Sequence, residues 1–257
     1  METEDNKKKV WAEGWGIFTR QLVKIYLSPA PIDFGIMING IPLNLKNISF
    51  HHHQVSFKEI LMPEHFLSVC YGLGIDNLEV GVDGNEFPFF DGSGEKYLNL
   101  FKSAGIKTQN KPKNFLLIKS PVIEFDRDSF IAILPGENLE LNITFSYPPL
   151  NSFTPFLLAN LTPAIYEKEI VWARTFGKYP FPSFLKRIGL AYRKKKNIFY
   201  PKRLSSPEEF IRHKILDLLG DLKALGKYLR GKIFTHNPSH KLNYKILREI
   251  AESEYGH

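Results

Sequence analysis

Residues that ligate metals or move protons recur at suggestive spacings along this chain. His213, Asp217 and Asp221 follow one another every four residues, which on an α-helix sets all three on one face. Lys214 projects about 100° round from His213. The opposite face carries Ile211, Ile215, Leu218, Leu219 and Leu222 and reads as core. Glu64 and His65 follow Met62-Pro63 at the predicted start of another helix, where the positive helix end favours a carboxylate. His240 closes the polar loop 236–240. Hydrolysis at zinc needs three protein ligands and an open position for water, with a carboxylate outside the metal shell to take the proton. His65, His213 and Asp217 supply such ligands, Glu64 such a base, and His240, oriented by Asp221, serves the leaving group. An ordinary solvated helix face is the competing reading, because a His and an Asp one turn apart occur on many helices.

The elements that must position these residues fall into two halves. Ser206, Pro207 and Glu209 form a helix-start signature with a capping box, predicting a helix over 207–225. The other early helix is predicted over 63–73. A polar, proline-containing break at 107–114 divides the chain into a first domain, 1–108, and a second, 113–257, with an insert around 178–203. Each half repeats one order: strands, a helix, a strand, a short polar loop and a final helix. In the first half these are 35–39, 63–73, 77–82, 85–93 and 94–103. In the second they are 114–118, 130–134 and 139–145, then 207–225, 232–235, 236–240 and 243–253. The expected fold class is α+β: two β-α-α-β sandwich domains of similar layout, helix pairs packed between the two sheets. Helix starts would then meet in a cleft between domains, a common place for ligands.

Composition narrows the function classes. With 257 residues, 43% hydrophobic and 14% aromatic, the chain can bury real cores and is not a disordered one. Cys70 is the only cysteine, which excludes a disulfide framework and a cysteine-rich zinc finger; it reads as a small buried hydrophobe. No apolar run reaches the roughly 20 residues of a membrane span, and the charged N-terminus does not read as a secretory signal, so a cytoplasmic setting is expected. The net charge of +7 is local: residues 174–203 hold ten Lys or Arg and no acid, against 24 basic and 27 acidic groups elsewhere. Such a segment attracts phosphates, anionic lipid or nucleic acid, or is simply a solvated loop.

Ordered motifs across most of the chain resemble those of the UDP-3-O-acyl-N-acetylglucosamine deacetylases, the zinc amidases of lipid A synthesis in Gram-negative bacteria. They are Glu64-His65, Gly72-Leu-Gly-Ile-Asp-Asn77, Asn85-Glu86 with Pro88 and Asp91-Gly-Ser93, Ala173-Arg-Thr-Phe-Gly177, Arg212-His-Lys-Ile-Leu-Asp-Leu-Leu-Gly-Asp221 and Ser239-His-Lys-Leu-Asn243. The resemblance implies Zn²⁺ held by His65, His213 and Asp217, with Glu64 as general base. It implies that Thr175 donates to the oxyanion and that His240, kept cationic by Asp221, steadies that charge or protonates the amine. Phe176 and Lys214 would line the sugar and phosphate region of an acylated UDP-GlcNAc substrate. A β-rich insert would form a passage for the acyl chain, and the basic 174–203 segment would touch the inner-membrane surface transiently; no nucleic-acid partner is expected.

The chain departs from the family pattern in several places. Gly14-Trp-Gly-Ile-Phe-Thr-Arg20 has Phe18 and Arg20 where the family carries His and Gly. Asn237 stands where a basic residue is usual, and Ala191-Tyr-Arg-Lys-Lys-Lys196 replaces a glycine-rich turn. His51-His52-His53 precede Glu64 in a shortened segment and offer either a second metal site or a solvated loop. These departures bear on substrate identity, leaving two alternatives: a diverged zinc amidase on another N-acetyl sugar, and a non-catalytic homologue binding membranes or polyanions.

Overall fold

A computed structural model of the chain describes residues 10–51, 54–147, 152–178 and 182–255. The first half opens on the hairpin β1 (Val10–Trp15) and β2 (Leu22–Pro29), followed by β3 (Ile36–Ile38) and β4 (Ile41–Pro42). A small side sheet, β5 (Ile48–His51), β6 (Gln54–Phe57) and β7 (Ile60–Leu61), precedes α1 (Glu64–Leu73), β8 (Leu78–Asp83) and α2 (Glu95–Ala104). The second half runs β9 (Phe115–Leu117), β10 (Val122–Asp126), β11 (Ser129–Leu134), β12 (Leu139–Tyr147) and β13 (Ser152–Ala159). Then come α3 (Pro163–Glu169), α4 (Pro182–Arg187), the hairpin β14 (Tyr192–Lys195) and β15 (Ile198–Pro201), α5 (Glu209–Lys223), β16 (Tyr228–His236) and α6 (His240–Tyr255).

The two main sheets share one topology. The first is ordered β1-β2-β8-β3-β4 and the second β10-β11-β16-β12-β13, with β9 added beside β16. In each, the last strand of the half enters between two antiparallel hairpins, parallel to one neighbour and antiparallel to the other. A parallel pair cannot be joined by a tight turn and needs a crossover; α1 lies in the crossover from β3 to β8, and α5 in that from β12 to β16. Alternation on β2 buries Val23, Ile25 and Leu27, so one sheet face meets the helices and the other meets solvent. The α+β layout with helices between two sheets is therefore the observed one.

One continuous core joins both sheets to the helices, from Ile25 and Val80 through Phe66, Leu67, Ile215 and Leu219 to Ile133 and Leu141. Its centre is the packing of α1 on α5. Gly220 permits that approach: a Cβ there would lie 2.2 Å from the Glu64 carbonyl oxygen.

Several local expectations are corrected. The capping box at Ser206 and Glu209 does not form. The Ser206 hydroxyl accepts from Glu208 N–H at 3.1 Å, and the Glu209 carboxylate is drawn away to Ser205 N–H and Arg174. His240 is the first residue of α6 rather than a loop residue, and β16 begins at Tyr228, ahead of the predicted Lys232. The β1–β2 hairpin was not anticipated. The insert combines a short helix, α4, with the β14–β15 hairpin. His51 ends β5, while His52 and His53 lie outside the described residues. No helix among the described residues is long and apolar enough to cross a membrane.

Candidate metal centre

Helices enclosed on every side are normally apolar all round, and α1 and α5 are not. From Glu64 to Gly72 every residue of α1 is buried, and on α5 only Arg212 and Lys214 escape burial. Their buried residues nevertheless include Glu64, His65, Glu209, His213, Asp217, Asp221 and Lys223. Buried charge must be paired, neutralised or ligated, and most of these groups converge where α1 starts against the middle of α5.

His65, His213 and Asp217 offer ligand atoms that all lie within 4.8 Å of one another. Asp217 Oδ1 stands 3.3 Å from His213 Nε2 and 3.8 Å from His65 Nε2. The two imidazoles meet edge to face, centroids 5.0 Å apart. His213 Nδ1 lies 2.9 Å from the Ala173 carbonyl oxygen; a carbonyl only accepts, so Nδ1–H donates and a neutral ring keeps its Nε2 lone pair toward the cluster. Asp217 Oδ2 accepts from Lys214 Nζ at 3.0 Å.

Electrostatics hold His65 and Asp217 in the protonation states that a metal requires. Burial, reinforced by His213, pushes His65 down to about 3, so it is a neutral imidazole. Burial works against a charge on Asp217, yet His213, Lys214 and His240 outweigh it and hold the carboxyl well below the usual carboxylate range. Donors about 2.1 Å from a tetrahedral Zn²⁺ stand roughly 3.4 Å apart, close to the separations seen. Two imidazole nitrogens and one carboxylate thus fit a divalent ion. Beside them Glu64 Oε2 is buried with no hydrogen-bond partner, and burial pushes its carboxyl up to about 8. An oxygen left in that state is costly unless something else at the site completes it.

His240 faces this cluster from the start of α6. Its Nδ1 contacts Asp221 Oδ2 at 2.8 Å, and its Nε2 lies 3.9 Å from Asp217 Oδ2. Burial lowers its pKa, but Asp221 and Asp217 more than offset this and raise it to about 9. Asn243 Nδ2, given no role from the sequence, donates to the same Asp221 oxygen at 2.8 Å. Thr175 is half-buried in the loop after α3, its N–H on the Gly92 carbonyl at 2.8 Å. The Phe176 ring packs on His213 at 6.1 Å, with Lys214 Nζ 5.4 Å from its centroid.

Three further supporting groups lie in quoted motifs but were given no role from the sequence. The Ala173 carbonyl orients His213, and Arg174 anchors that strip of chain to α5 through Glu209 at 2.8 Å. Tyr192, from the insert, donates to either the Asp91 or the Thr175 carbonyl, each 3.1 Å away. Their roles depend on backbone carbonyls and long-range packing, which spacing does not reveal. Asn237 is structural, since its Oδ1 accepts from Ser146 N–H at 2.7 Å.

Two topologically matched α+β layers with a buried His-His-Asp cluster at their seam define a class: a paired sandwich with a cluster competent for metal binding between its halves. Comparison with known proteins gives the family. The family model for LpxC, UDP-3-O-acyl N-acetylglycosamine deacetylase, matches residues 5–252, and the chain belongs to that family. Among its relatives are three proteins named UDP-3-O-acyl-N-acetylglucosamine deacetylase. That of Acidithiobacillus ferrooxidans is 33% identical over 276 residues, covering 95% of this chain and 88% of the relative. That of Syntrophus aciditrophicus is 35% identical over 271 residues, covering 96% and 85%. That of Helicobacter hepaticus is 31% identical over 276 residues, covering 99% and 91%.

Proposed function

We propose that the chain is a cytoplasmic zinc-dependent deacetylase that hydrolyses the N-acetyl amide of UDP-3-O-acyl-N-acetylglucosamine in lipid A synthesis. The observation that carries this reading is the His65, His213 and Asp217 cluster with the unpartnered buried oxygen of Glu64 beside it. The division into units 1–108 and 113–257 belongs to the same reading, one ligand coming from the first and two from the second.

His65, His213 and Asp217 would hold the ion. Bound there, Zn²⁺ supplies Lewis acidity toward water and the amide carbonyl. The chain's own groups move the protons. Glu64 Oε2 takes a proton from water as its oxygen bonds to the amide carbon. The Thr175 hydroxyl donates to the oxygen on which negative charge develops. His240, held cationic by Asp221, steadies that charge and gives its proton to the sugar nitrogen as the C–N bond breaks, leaving acetate and the free amine. Phe176 and Lys214 line the approach beside His213 and present a ring and a cation to the sugar and phosphate.

Acetate release from acylated UDP-GlcNAc, assayed beside release from non-acylated N-acetyl sugars, tests the reading. Turnover confined to the acylated nucleotide is expected. Equal turnover of a non-acylated sugar would favour a diverged amidase, for which the replaced insert turn at 191–196 is the motive. No turnover of either, with no zinc bound, would contradict the enzyme reading altogether.

A further inference from the structure

The β1–β2 turn is folded around an internal carboxylate. Glu86, fully buried, accepts from Ile17 N–H at 2.8 Å, Phe18 N–H at 3.1 Å, Thr19 N–H at 2.8 Å and the Thr19 hydroxyl at 2.8 Å. Arg20 closes the turn with its N–H on the Gly16 carbonyl at 3.1 Å, at a φ of 58°. That left-handed region favours glycine.

The Arg20 side chain lines a half-open cavity of about 460 Å³. Arg187 of α4 lines it too, with the hydroxyls of Thr19 and Ser183 and the rings of Trp15 and Phe184. The two rings meet edge to face at 5.7 Å. Guanidinium forks and hydroxyls are the donors that recognise phosphate oxygens. The surroundings are amphipathic. Trp15 pairs with Leu22 across the hairpin, and Trp11 lies four residues back on the same face; their exposures are 36%, 49% and 58%. Toward the insert, Lys186 and the run Arg193 to Lys196 are exposed.

The geometry points to a binding site for the phosphate of an anionic phospholipid, which seats this face of the protein on a bilayer surface. Phosphate is the recognised chemistry. The lipid is the source assigned because exposed indoles and a leucine beside the cavity suit the headgroup–acyl boundary and contribute nothing to capture of a free ion. None of the cluster residues His65, His213 and Asp217 is among the lining residues, and the site does not depend on the reaction proposed there.

Sedimentation of the full chain with phosphatidylglycerol/phosphatidylcholine vesicles tests this. Binding to the mixed vesicles and none to pure phosphatidylcholine is expected, with a blue shift of indole emission. The double variant Arg20→Gly/Arg187→Gln should weaken partition on the order of 10-fold or more. Glycine adopts the left-handed turn without strain, and an unfolding midpoint at or above that of wild type verifies the fold. Arg187→Gln alone, on the exposed face of α4, should show an intermediate loss. Partition of the double variant equal to wild type would overturn the site, even if Lys194→Gln/Lys195→Gln/Lys196→Gln abolished binding, because attraction would then be diffuse. Protection of the cavity by inorganic phosphate without vesicle binding would overturn the lipid assignment, as would no sedimentation at all.

Discussion

Glu64 and His240 both border the cluster and have opposite tasks in the proposed chemistry. Glu64→Ala removes the base and no ligand, so zinc content should stay at the wild-type level while kcat falls about 10²- to 10⁴-fold; a rate within a fewfold of wild type would refute the base assignment. For His240 the sign follows from its raised pKa. Burial opposes the proton, Asp221 and Asp217 prevail, and the stability so gained is complete below its unfolded value of about 6.5 and lost as pH climbs through about 9. Activity that needs the cation should therefore have a falling alkaline limb at or below about 9. Asp221→Asn removes the main group raising that pKa, so the limb in a kcat/KM–pH profile should move to lower pH with zinc content unchanged. A limb that does not move would take His240 out of the mechanism. At this scale the sequence was informative: four-residue spacing alone put His213, Asp217 and Asp221 on one face. Which partner each one meets depended on contacts that the motifs themselves do not specify, such as those of the Ala173 carbonyl and Asn243.

Among the elements, α1 and α5 matter most because their close approach turns two separate sequence patterns into one cluster. Gly220→Ala places a methyl 2.2 Å from the Glu64 carbonyl oxygen, so the helices must part. Overpacking of this kind costs about 1–3 kcal/mol, which for a chain of this size lowers Tm by several degrees at roughly 2–4 °C per kcal/mol. Zinc affinity should fall as well, since His65 moves relative to His213. Thermal melts and zinc titrations of the variant check both, and an unaltered affinity would mean that the cluster does not depend on this contact. Both helices could be read from capping residues and apolar periodicity, yet the capping box failed where Arg174 competed for Glu209. The β1–β2 hairpin was missed because its register is fixed from a distance, by Glu86 gathering the turn. The His240 helix start was hidden because Asn237-Pro-Ser239 reads as a loop.

At the scale of the molecule, two sheets of the same strand order meet through their crossover helices, and polar ties bind the halves together. Ser68 Oγ and Tyr166 Oη are 3.0 Å apart, and Leu229 N–H donates to Tyr71 Oη at 3.2 Å. The repeated order of elements was legible in the sequence, although the shared strand order was not, because pairing between distant strands leaves no trace in local periodicity. An ion drawing ligands from both halves should stabilise them as one unit. At about 100 times its Kd a ligand adds roughly 2.7 kcal/mol, so chelation should lower the single unfolding midpoint by about 5–10 °C. Unchanged melting after chelation, with zinc shown to be removed, would mean that the ion does not bridge the halves.

The most direct measurement is zinc stoichiometry, by elemental analysis after exhaustive dialysis, of the wild-type chain beside His65→Ala, His213→Ala and Asp217→Ala, each shown to be folded. One zinc per wild-type chain and far less in every variant is the predicted result. No tightly held zinc in the wild type, or full occupancy in the folded variants, would contradict the account.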